Sequence, residues 1–190
     1  MDIRWAAVVL MGAIHTGNLD AAETIEVDVY IQKYNYSRPL KHIKEQASQI
    51  FQRIGVRLIW HNGELPALPT AGRRSIGIRF VEHAPAAQSP FAMASALPFG
   101  SSGSLISVYL DRVQHRIDSI PRLWPVLLAH VLVHELAHVM QGTDYHAPSG
   151  IMKANWSNAD YDAMCRNRLG FTDFDADLIH TSLSARLANR

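Results

Sequence analysis

The chain reads as a single α+β domain, with its strands gathered before Pro121 and its helices after it. Three observations predict this. Short runs of alternating or β-branched apolar residues recur between positions 24 and 110, the stretch 126–140 is apolar on nearly every helical face, and two capped helical segments follow Met152. A length of 190 residues suits one domain with a real core, and composition is close to the globular average. A net charge of +1, with no dense Lys/Arg run, gives no ground for a nucleic-acid partner.

The first residues differ in kind. Arg4 precedes an apolar run from Trp5 to Ile14, and the small pair Ala21-Ala22 follows. That pattern resembles a secretory signal peptide over 1–22, which would leave 23–190 as the mature domain, exported to the periplasm or beyond the cell. A buried N-terminal helix is the alternative reading. So short an apolar run cannot span a bilayer, so no integral membrane span is expected. Cys165 is the only cysteine, which excludes an intramolecular disulfide and suggests a small buried apolar residue.

Residues 24–30 alternate, with Ile25, Val27 and Val29 on one side and Glu26 and Asp28 on the other, as in a half-buried strand. Ile43, Ala47, Ile50, Phe51 and Ile54 follow helical spacing within 40–54, and Gly55 ends that segment. Residues 56–60 read as a short strand, 62–74 as a Gly/Pro loop, and 76–81 as a third strand. The run 91–97, closed by Pro98, suits an edge strand, and 104–110 is the last strand expected.

A helix begins between Ser119 and Pro125 and runs to a stop at Gly142. Its polar members are His130, His134, Glu135 and His138. Such groups are costly within an apolar helix unless something satisfies them, and a metal would do so. A helix from 158 to 169 capped by Ser157 or Asn158, and another capped by Thr172 or Asp173 and reaching Leu187, complete the chain.

The segment His134-Glu135-Leu136-Ala137-His138 carries the chemistry. Residues four apart share one helix face about 6 Å apart, so both imidazoles can bind one zinc ion. Glu135 is then placed to act as general base on a metal-activated water during hydrolysis of a carbonyl compound. A third ligand is needed. His146 offers the commoner donor type for zinc, whereas Asp144 stands three residues after Gln141 and six after His138. No glutamate follows Glu135 to act as a downstream ligand, and Asp160 or Asp162 is a remote substitute. His130 reads as a satisfied core residue or as a support for the ligands. Tyr145 reads as a surface side chain or as a hydroxyl donor to the reaction.

This motif, Gly142, His146 and the Ser149-Gly150-Ile151-Met152 turn together resemble the metzincin zinc metallopeptidases, with the turn spaced as in the shorter, matrixin-like members. The family pattern places its glycine and third ligand where this chain has Gln141 and Asp144, so Gly142 and His146 fall late, in an extended loop. The resemblance implies a zincin-like fold. In it a twisted, mostly parallel mixed sheet of about five strands backs the active-site helix, and a helical half follows. It also implies a single catalytic domain over 23–190, an antiparallel edge strand at 91–97 that pairs with an extended peptide or protein substrate, and Met152 packed beneath the metal. Three rival readings remain: an exported zinc-containing domain that binds peptides without cutting them, an intracellular zinc metallopeptidase of another clan, and a structural protein without metal, which leaves the buried histidines unexplained.

Overall fold

The computed structural model describes residues 24–32, 37–67, 73–97, 104–117 and 123–188, so the expected signal peptide lies outside the described residues. Strand β1 (Ile25–Ile31) leads into helix α1 (Ser37–Gln52), followed by β2 (Val56–Asn62), β3 (Arg74–Val81), β4 (Ala94–Leu97) and β5 (Ser104–Tyr109). Helices α2 (Leu110–Arg116), α3 (Trp124–Gln141), α4 (Asn158–Cys165) and α5 (Asp173–Ala188) make up the rest.

The five strands form one sheet in the order β2-β1-β3-β5-β4, parallel throughout except for antiparallel β4 at one edge. This is the mixed α+β architecture expected, with the reversed strand where Pro98 pointed. Alternation sets its inner face: Val27, Val29, Ile76, Ile78, Ile106 and Val108 are fully buried. Against that layer lie α1, through Ile43, Ala47, Ile50 and Phe51, and α3. Helix α3 is the hub: it packs on α1, α2, α4, α5, β4 and β5, which explains why it is apolar all round.

Three expectations need correction. The segment after β5 turns directly into α2, because Val113 and Ile117 bury one side of a short helix rather than extending the strand. Asp28, assigned to the open face, is 1% exposed. The outer sheet face is covered there by Arg73 and His61, whose nitrogens lie 3.3 and 2.8 Å from its Oδ1. Cys165 is exposed; Met164 beside it takes the buried position of α4. Among the described residues no helix is long and apolar enough to cross a membrane.

Candidate metal centre

Helix α3 ends where the site begins. Gly142 adopts φ +71, a left-handed conformation that glycine takes without strain, and its N–H closes on the His138 carbonyl at 2.8 Å. The chain then reverses, so that residues 143–152 fold back beneath the last turns of the helix. Ala147 N–H donates to the Met152 carbonyl at 2.9 Å and Ile151 N–H to that of Gly170 at 2.8 Å. Gly150 sits at φ +74 in this turn, and Met152 is fully buried at its base.

That return brings His146 against the helical pair. The His146 ring lies 5.2 Å from His134 and 4.8 Å from His138, centroid to centroid. One nitrogen from each of the three rings lies within 4.8 Å of the others. The Nε2 atoms of His134 and His138 are 3.0 Å apart. Two nitrogens bound tetrahedrally to zinc at the usual bond length would be separated by about 3.3 Å, so the spacing fits a shared ion.

Each helical imidazole is oriented from behind. His134 Nδ1 is 2.9 Å from the Ile151 carbonyl and His138 Nδ1 is 2.9 Å from that of Thr143. A carbonyl only accepts, so both Nδ1 atoms carry the proton and both Nε2 lone pairs face the common point. Trp156 Nε1 also donates to the Ile151 carbonyl, at 3.2 Å, and its ring meets His134 edge-on at 5.6 Å. Burial, then the neighbouring His138, lowers His134 to about 3, and burial lowers His138 as well. Both rings therefore stay neutral, the state in which imidazole binds metal.

Glu135 projects into the same cleft, where desolvation by the surrounding apolar elements pushes its carboxyl up to about 7. Asp144 also lines the cleft but is not part of the three-nitrogen group. His130 is fully buried one turn away, with Nδ1 donating to the Val126 carbonyl at 2.8 Å, and it stays outside the group. Tyr145 packs against Phe174 and does not line the cleft.

The cleft has a volume of about 490 Å³. Ala94 and Ala96 of the edge strand, with Met93 just before it, supply one wall; Lys153, Ala154, Asn155 and Trp156, the segment after the turn, supply another. The resemblance implied the edge strand beside the substrate, but nothing in the sequence marked Arg116 and Tyr161, which also face the cleft. No motif marks them; they meet only because α2 forms, a helix with no counterpart among the elements expected from the sequence.

Comparison by sequence finds no matching protein family and no matching curated protein. The fold does have a counterpart among solved structures. The chain is similar to the crystal structure of archaemetzincin from Methanopyrus kandleri, with a TM-score of 0.54 and 16% identity over 87% of this chain and 99% of that one. The fold is thus an archaemetzincin-like zincin fold, which bears out the fold class expected from the sequence. The likeness is one of fold and does not bear on the matrixin-like spacing.

Proposed function

We propose that the chain is a zinc-dependent, metzincin-type peptidase, with His134, His138 and His146 as metal ligands and Glu135 as general base. The observation that carries this reading is the pair of Nε2 atoms converging 3.0 Å apart while both Nδ1 atoms are fixed by backbone carbonyls. Two hydrogen-bonded core histidines would have no reason to aim their remaining lone pairs at each other, whereas a shared cation makes that arrangement favourable. Zinc held there supplies Lewis-acid polarisation of a carbonyl and lowers the pKa of water.

The side chains do the remaining work. Extended peptide would add along the free edge of β4, gaining main-chain hydrogen bonds that place a scissile carbonyl over the histidines. Glu135 would accept the proton of the attacking water and return it to the leaving amine. The apolar surroundings that raise its pKa would also keep bulk water from competing.

Glu135→Ala should retain about one zinc per chain by elemental analysis and lose all chelator-sensitive cleavage of a peptide library. Unchanged turnover would remove Glu135 from its role. Peptide binding without cleavage by the unsubstituted protein would favour a binding domain instead. Export is also proposed, from the apolar run at 5–14, and a retained Met1 in the exported protein would count against the leader.

A further inference from the structure

We propose that Arg116 is a specificity-determining residue that binds a carboxylate of the peptide in the cleft, either an acidic side chain or the free C-terminus. The proposal rests on the peptidase reading for its ligand being a peptide, and on independent geometry for the carboxylate.

Arg116 is the last residue of α2 and lines the cleft together with His134, Glu135 and Trp156. Its Nε donates to the hydroxyl of Tyr161 at 2.7 Å, and the guanidinium carbon lies 5.9 Å from the centre of that ring. Tyr161 belongs to α4, so two elements far apart in sequence converge to hold one cation at the wall of the cleft. These contacts use Nε and leave both terminal nitrogens with no carboxylate partner among the described residues. The pair of terminal N–H groups is the edge of a guanidinium that binds a carboxylate through two parallel hydrogen bonds.

The other cation of the cleft is already matched. Lys153 Nζ lies 2.5 Å from Asp160 Oδ2. Among the described residues that line the cleft, Arg116 is therefore the Lys or Arg side chain whose charge no carboxylate matches. A basic residue in the last turn of α2 is favourable in itself, because it faces unpaired carbonyls. Any cation would serve that purpose. A planar guanidinium docked by a hydroxyl and an aromatic ring is the arrangement that holds a forked donor in one orientation.

The test uses the full chain carrying Glu135→Ala, loaded with zinc, so that binding is read without turnover. Fluorescence anisotropy would compare fluorescent synthetic octapeptides that differ only in Asp against Asn at each position in turn, and in a free against an amidated C-terminus. One carboxylate should tighten binding by about tenfold, the order of a charge-assisted contact that stays accessible to solvent. The arm that shows the gain, side chain or terminus, identifies the source. Adding Arg116→Gln should abolish the gain while neutral peptides bind as before, and Arg116→Lys should keep part of it. Equal binding of acidic and neutral peptides, a gain that survives Arg116→Gln, or binding of none of the peptides would overturn the proposal. The two readings fail separately. Carboxylate preference in a protein that cleaves nothing would refute the peptidase, and cleavage without that preference would refute the role of Arg116.

Discussion

At the scale of single residues, the decisive pair is His146 and Asp144, two candidates on one loop. The sequence favours His146 on donor chemistry, with Asp144 the alternative because it occupies the family's slot. Placement supports the histidine as the proposed ligand: His146 stacks on His134 at 5.2 Å, while Asp144 lines the cleft outside the three-nitrogen group. His146→Ala should therefore weaken zinc binding by more than the roughly 10- to 100-fold typical of losing a group that only orients a ligand. Asp144→Ala should cost less than about tenfold, because it removes only a nearby negative charge. Competition titrations against a chromophoric chelator measure both, and the reverse order would make Asp144 the ligand. Gly150 gives a second prediction. At φ +74, a Cβ would come within 2.8 Å of the Gly170 carbonyl oxygen, the acceptor of the Ile151 N–H. Gly150→Ala should cost about 1–3 kcal/mol of stability in chemical denaturation and weaken zinc binding, since Ile151 orients His134. Gly170→Ala meets no atom within 4 Å and should leave both measurements within about 0.5 kcal/mol of the parent.

At the scale of elements, legibility followed burial. Helix α3 was plain because its residues must satisfy a core on every side, and β1 because alternation survives where one face is packed. Helix α2 was missed because seven residues hold too few apolar positions to show a period, and with it went the route by which Arg116 reaches the cleft. Helix α4 depends instead on its start. Ser157 and Asp160 form a reciprocal capping box, and Asp160 also receives Lys153 from the cleft wall. Burial alone would raise the pKa of Asp160, but the hydrogen bonds from Lys153 and Ser157 together outweigh it and the carboxyl lies below its ordinary value. A group depressed in the folded state stabilises fully above its unfolded pKa and loses that contribution as pH falls through the folded one. Asp160→Asn should therefore reduce stability by about 1 kcal/mol at neutral pH, the usual worth of a helix cap, and the difference from the parent should vanish below the carboxylate range. A difference that persists in acid would mean the loss comes from packing and not from charge.

At the scale of the whole molecule, the three proposed ligands come from helix α3 and from the return loop, which the core joins. His134 and His138 ride on the helix that every other layer touches, and the carbonyls that orient them come from the return loop anchored at Gly170. This linkage explains what the sequence could and could not reveal. The order of elements and the five-residue motif are local, so they were readable from spacing. The return loop is set by contacts between Ile151, Gly170 and the helix, and these have no local signature. It follows that metal affinity and global stability should be one coupled quantity. A ligand bound only by the native state stabilises it by about 2.7 kcal/mol at a hundredfold excess over its dissociation constant. For a domain of this size each kcal/mol moves the midpoint by roughly 2–4 °C, so zinc should raise the melting temperature by about 5–10 °C. Chelation should reverse the shift, and alanine at His134 or at His138 should remove it. Alanine at His130, which is buried outside the cluster, should lower the melting temperature yet leave the zinc-dependent increment intact. A zinc increment that survives loss of His134 and His138 would place the ion elsewhere.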